Sequence, residues 1–218
     1  MNYIYMLPAA FLVPVIHEWV KAMVSTAQGD PTPRQQGFVT LNPFRYFEPV
    51  GFLFILLFGF GWGNPTPTAA LHYRNRQQGV VITYVTPVLV NLLLGIGAVV
   101  GVSILLSVHY GQVNYVMFFR SIHIATWTSD PYYIAILVLS HFALVNINIA
   151  LFNLLPVYPL AANRLILLFS RPDTIARVNH YEKPMQIAMI VMLAFNIIAM
   201  ILNPLVRIII RMAWGLAI

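Results

Sequence analysis

Three residues in one apolar stretch near the N-terminus have types that could do chemistry, namely His17, Glu18 and Lys21. The His-Glu pair matches the start of an H-E-x-x-H pattern, in which two histidines on one helix face bind zinc and the glutamate acts as general base. Here Lys21 stands where the second histidine would be. Catalytic zinc takes about three protein ligands, and the Lys21 ammonium would repel a dication. One histidine, His17, is therefore not enough to predict a zinc site.

Glu18 has two interpretations. It could be an acid–base group that works without a metal, or it could form an ion pair with Lys21, three residues along the same helix face. Pairing would lower the cost of burying both charges, which is roughly 2.5 to 3.5 kcal/mol each at the centre of a membrane helix. We favour the ion pair. For His17 we favour a hydrogen-bonded core histidine over a metal ligand.

The composition predicts that these residues lie in an integral membrane protein. Hydrophobic residues make up 60% of the 218 positions and charged residues 8%, whereas soluble domains carry about 25% charge. We therefore expect an all-α, polytopic bundle of about five or six transmembrane helices in a single membrane domain, 1–218. In a membrane protein a net charge of +6 more often reflects the orientation of basic loops and their contact with lipid headgroups than nucleic acid binding. Without cysteines, thiolate chemistry is excluded.

Hydropathy predicts where the helices run. Spans are expected at about 3–24, 48–63, 80–108, 132–156 and 185–203, and residues 204–218 could lie in the interface as an amphipathic helix or extend the last span. The aromatic stretch from Tyr115 to Trp127 is expected along the interface. Residues 25–47 are predicted to be an ordered loop or short strand pair, anchored by Phe38, Val39, Leu41 and Phe44. With five spans, Lys and Arg divide almost evenly between the two sides, so orientation stays undetermined.

Four segments resemble the site-2 protease family of intramembrane zinc metalloproteases, in its compact bacterial form. HEWVKA begins at His17, and GDPTPRQQGFVTLNPFRYFEPVG is similar to the family's GDPTARxxGRLTLNPxxHxDPxG. FGWGNPTPT, HYRNRQQG and TPVLVNLLLG resemble FGWAKPVPV, NFRNPRRG and GPLSNLLLA. LFNLLPVYPLAANRL resembles LFNLLPIPPLDGSRI. The resemblance implies three core helices around a buried zinc, held by two histidines of the first motif and the aspartate of the last.

The sequence departs from this family pattern at the chemistry. Lys21 replaces the second histidine, and Ala161 and Ala162 replace the Asp-Gly pair, so His17 is the one expected ligand that remains. The other histidines are His72, His109, His123, His141 and His180. Four lie in predicted loops or interfaces. His141 lies in a span, but twenty residues of helix, roughly 30 Å, separate it from Ala161. We expect no metal and no zinc cofactor.

Asparagines form the other polar set within the spans. Asn91 and Asn153 match family positions near the substrate channel, so they are candidate groove residues. The alternative is interhelical hydrogen bonding, worth around 0.6 kcal/mol each, and the two readings stay open.

The sequence thus predicts a catalytically inactive site-2 protease homologue with Glu18 as a remnant of the family site. We expect it to act as a membrane scaffold or accessory subunit that binds a membrane protein partner or larger complex, together with lipid and no nucleic acid, in the bacterial inner membrane. One alternative is an active intramembrane zinc metalloprotease with non-standard ligands. A second is a small-molecule or ion conduit along the asparagines.

Overall fold

The computed structural model describes residues 3–111, 113, 114, 116, 118, 119, 122 and 128–216. Within these residues the helices are α1 (Leu7–Ala27), α2 (Thr32–Gln35), α3 (Pro49–Phe58), α4 (Arg76–Tyr110), α5 (Pro131–Phe152), α6 (Ala161–Leu168), α7 (Pro172–His180), α8 (Glu182–Ala194) and α9 (Ile197–Gly215). Short 3₁₀ turns lie at Tyr3–Tyr5, Pro43–Arg45 and Ala70–His72. No strand forms in the described part of the chain. The predicted all-helical membrane bundle is confirmed.

Four helical segments are long and apolar enough to cross a membrane: Tyr3–Ala27, Arg76–Tyr110, Pro131–Phe152 and Ile197–Gly215. The first three overlap the predicted spans at 3–24, 80–108 and 132–156. The predicted span at 185–203 instead straddles a break at Asn196, whose φ of 60° is left-handed and separates α8 from α9. Residues 204–215 form no separate interfacial helix, because α9 continues through Pro204. Most of the stretch from Tyr115 to Trp127, including His123, lies outside the described residues.

The apolar stretch at 48–63 contains only the ten-residue helix α3. Ten residues of helix are about 15 Å long, half of a hydrocarbon core of about 30 Å. Gly59, with φ of +77°, ends the helix, and the chain then folds back against its start. A Cβ on Gly61 would lie 2.2 Å from the Gly51 carbonyl oxygen, so this contact requires glycine. α3 therefore packs beside α1 without crossing.

As a consequence, the loops before and after α3 lie at the same end of the bundle. The Arg74 N–H donates to the Gln28 carbonyl at 3.0 Å, and the Asn64 N–H donates to the Tyr46 carbonyl at 2.8 Å. The five-span count had placed these two loops on opposite sides, so that topology is wrong. We call this end, with residues 25–47, 64–75 and α6, the site end.

The segment at 25–47 forms the ordered loop of the two predicted alternatives, with short helical turns at Thr32–Gln35 and Pro43–Arg45, and the strand pair is wrong. Of the predicted anchors, Phe38 is buried, but Leu41 and Phe44 are 70% and 76% exposed. Tyr46 is the anchor that sequence reasoning missed. Its ring packs on Phe38, and its hydroxyl donates to the Thr40 carbonyl at 2.9 Å. Aromatic packing with a satisfied hydroxyl docks the loop on α1.

Helices α1, α4 and α5 pack on one another and form the centre of the bundle. A Cβ on Gly95 of α4 would lie 2.6 Å from the Ile147 side chain of α5, so the small residue permits a close crossing. α9 packs on α4 and α5 from one side, and α6 packs on α4 at the site end. The three central helices carry the candidate residues.

Candidate functional site

Helix α1 buries the three residues that the sequence singled out. His17, Glu18 and Lys21 are only 5%, 7% and 6% exposed. Buried charges are costly unless they are paired and hydrogen-bonded, so their partners decide what they can do.

Glu18 and Lys21 form an ion pair, with Lys21 Nζ 3.3 Å from Glu18 Oε2. The same carboxylate oxygen accepts the Thr66 backbone N–H at 2.7 Å, and the Thr66 hydroxyl donates to the Glu18 carbonyl at 2.9 Å. Lys21 also lies over the Tyr84 ring, 5.2 Å from its centroid. The pair therefore ties α1 to the 64–75 segment and to α4. Thr66 gave no chemical signal in the sequence, because the group that reaches the Glu18 carboxylate is its backbone N–H.

His17 belongs to a buried chain of hydrogen bonds across the three central helices. Its Nδ1 lies 2.8 Å from Asn91 Oδ1, and Asn91 Nδ2 donates to Asn146 Oδ1 at 2.9 Å. Asn146 Nδ2 then donates to the Phe142 carbonyl at 2.8 Å. Asn91 is fully buried behind His17, so its contacts match the hydrogen-bonding interpretation rather than an open groove.

Ala161 lies where the resemblance places an acidic ligand, and its methyl group has no donor atom. Asn153 organises the backbone around it. The Asn153 amide donates to the Ile149 carbonyl at 2.9 Å, and the Ala162 N–H donates to the Asn153 carbonyl at 3.0 Å. Asn153 thus closes the end of α5 onto the start of α6.

A small cavity brings these elements together. It has a volume of about 20 Å³, and its lining includes His17, Glu18, Lys21, Asn153 and Ala161. One water needs roughly 10 to 15 Å³ by the same kind of measure, so the cavity has room for about one. Its donor set of one imidazole, one paired carboxylate and one ammonium does not fit zinc, which needs three uncharged or anionic ligands. In the described residues, no group of three or more His, Asp or Glu could hold a metal ion.

Asp30 is a buried acid that sequence reasoning did not single out. Its carboxylate accepts the Ala69 N–H at 2.7 Å, the Ser25 hydroxyl at 2.9 Å and the Thr32 N–H at 3.0 Å, and His72 Nδ1 lies 3.5 Å away. Burial alone would raise the pKa of Asp30, but the hydrogen bonds from Thr32, Ala69 and Ser25 outweigh it and hold the pKa below its ordinary value of 3.8. Its position between Gly29 and Pro31, just after the end of a helix, was the sequence feature that could have marked Asp30 as a structural residue.

Comparison with known proteins adds the family. No family model matches the chain, and no solved structure matches it. A curated protein of Bacillus subtilis (strain 168), named "Putative zinc metalloprotease YwhC", is 32% identical over 169 residues, which cover 77% of this chain and 69% of that protein. At this identity and coverage, the chain belongs to the zinc metalloprotease family for which that Bacillus protein is named.

Proposed function

We propose that this chain is a catalytically inactive member of the site-2 protease branch, with a degenerate zinc site, and that it serves as a scaffold or accessory subunit for a membrane partner. The observation that carries the proposal is the ion pair between Glu18 and Lys21. The carboxylate of the expected general base is bound to an ammonium and to the Thr66 N–H, and the ammonium comes from the position of an expected zinc ligand.

Zinc content tests the inactive reading. Wild-type protein and His17→Ala, purified without chelator, are compared by elemental analysis. We expect no stoichiometric zinc in either. Stoichiometric zinc in the wild type that is lost in His17→Ala would instead support an active protease with non-standard ligands.

Partner binding is tested by photo-crosslinking. Leu154 is 57% exposed and follows Asn153 at the site end, so a photoreactive amino acid there should crosslink to one defined membrane protein. Met212, which is 69% exposed on α9, is the matched control and should not give that product. Identical products from both positions, or none from Leu154, would contradict a partner surface beside the site.

We place the protein in the bacterial cytoplasmic membrane, which the Bacillus relative and the four apolar helices support. We further propose that the site end faces the cytoplasm. Most of the Lys and Arg residues other than the buried Lys21 lie in the segments that form this end or continue directly from it. They are Arg34, Arg45, Arg74, Arg76, Arg164, Arg171, Arg177 and Lys183. Short cytoplasmic loops carry such an excess.

A further inference from the structure

A larger cavity adjoins the small one at the site end, and Lys21 lines both. It has a volume of about 470 Å³ and lies between the 64–75 segment, the start of α4, and helices α6 and α7. We call it the basic cleft and define it by Lys21, Thr68, Arg76, Tyr84, Tyr158 and Arg164.

The cleft presents hydrogen-bond donors and positive charge. An ammonium has three N–H donors, and Glu18 accepts from Lys21 once, at 3.3 Å. The hydroxyls of Thr68 and Tyr84 lie 2.9 Å apart on the same wall. The described residues that line the cleft include no Asp or Glu. Cations and hydroxyls without a lining carboxylate select an anion.

Nearby carboxylates cancel only part of this charge. Glu18 balances Lys21, and Glu182 lies 3.7 Å from Arg164. Within the described chain, no Asp or Glu lies at ion-pair distance from Arg76, which leaves a net positive cleft. Arg164 is also held over the Tyr158 ring, at 5.2 Å, which orients its guanidinium.

The position of the cleft indicates which anion it takes. Arg76 is the first residue of α4, one of the helices long enough to cross the membrane, and from this we infer that the cleft lies near the lipid headgroups. Guanidinium groups match phosphate oxygens as paired donors. Apolar residues line the rest of the cleft and suit the glycerol part of a lipid; they include Val80, Leu167, Leu168 and Ile175.

We propose that the basic cleft binds a phosphate group, either the headgroup phosphate of an anionic phospholipid or that of a soluble phosphate ester. In this assignment Lys21 supplies N–H donors at the base of an anion site beside the remnant of the family site. The proposal does not depend on the membrane partner, because the phosphate would bind to this chain alone.

The test is ligand titration of purified protein in neutral detergent, followed by native mass spectrometry. Phosphatidylglycerol and inorganic pyrophosphate are titrated separately against wild type, Arg76→Gln and Arg164→Gln. We expect each substitution to weaken binding about fivefold, since one basic residue near an anionic surface contributes about that much. Arg34→Gln is the matched control, because Arg34 is an exposed arginine on α2, in the 25–47 loop of the same end. It should bind as wild type does.

The two ligands distinguish the source of the phosphate. Weaker binding of phosphatidylglycerol to the cleft variants than to wild type identifies a lipid site. Weaker binding of pyrophosphate to the same variants identifies a site for a soluble ligand. If neither ligand binds the wild type, or if Arg34→Gln weakens binding as much as the cleft variants do, the proposal is overturned. Melting temperatures of all variants, measured alongside, confirm that each is folded.

Discussion

The Lys21 ammonium lies 3.3 Å from the Glu18 carboxylate, one turn apart on α1 and buried with it. A carboxylate that could act as general base in a metalloprotease is here bound to a cation of its own helix. Breaking such a pair by removing one partner leaves an uncompensated buried charge, whereas removing both charges is far less costly.

Lys21→Ala should therefore destabilise the protein more than Lys21→Ala combined with Glu18→Gln. Loss of one partner of a buried pair typically costs about 3 to 5 kcal/mol, and neutralising Glu18 should recover a large part of it. The free energy of unfolding in detergent measures both variants. Equal stability of the single and double variants would show that removing Lys21 leaves no costly unpaired charge on Glu18.

The hydrogen bonds to Asp30 predict a loss of stability in acid. Because the pKa of Asp30 is lower in the folded protein than in the unfolded chain, its contribution is fully present above the unfolded pKa and is lost as pH falls through the folded pKa. Asp30→Asn should remove part of this pH dependence between about pH 5 and the folded pKa. Unfolding is followed against pH in wild type, Asp30→Asn and the control Asp173→Asn. A control that changes the profile as much as Asp30→Asn would contradict the assignment.

The close approach of Gly61 to the start of α3 predicts a steric effect. In Gly61→Ala the new Cβ would lie 2.2 Å from the Gly51 carbonyl oxygen, so the backbone must shift, at a cost of about 1 to 3 kcal/mol. Gly97→Ala is the control, because Gly97 lies within α4 and its Cβ would meet nothing within 4 Å. That change should be neutral or stabilising by up to about 1 kcal/mol. Thermal unfolding of both variants checks the fold-back after α3, and equal melting temperatures would refute it.

Restoring the missing ligand types should restore zinc binding. Lys21→His together with Ala161→Asp adds two zinc ligands to His17. We expect a large gain in zinc content only in this double variant. Either single change should gain little, because two ligands rarely hold zinc in a site built for three. Elemental analysis of wild type and the three variants measures this, and equal zinc in all four would mean that the two positions do not converge on one site. We do not expect proteolysis to follow, since Ala162 still replaces the family's glycine.

The sequence by itself determined the helical membrane class and the changed chemistry at residues 17, 21 and 161. Both are local properties, since hydropathy is a sum over neighbouring residues and a missing ligand is a matter of side-chain type. The sequence also favoured the pairing of Glu18 with Lys21, because a spacing of three on one helix fixes their separation.

Only the tertiary structure decided which apolar stretch crosses the membrane and which returns. Residues 48–63 are as apolar as a span, but the positive φ of Gly59 and the contact between Gly51 and Gly61 turn the chain back. The bonds from His17 to Asn91 and from Asn91 to Asn146 join three helices far apart in sequence. Half of the partners of Asp30 and Thr66 are likewise backbone groups, and no side-chain pattern reveals which backbone groups will meet.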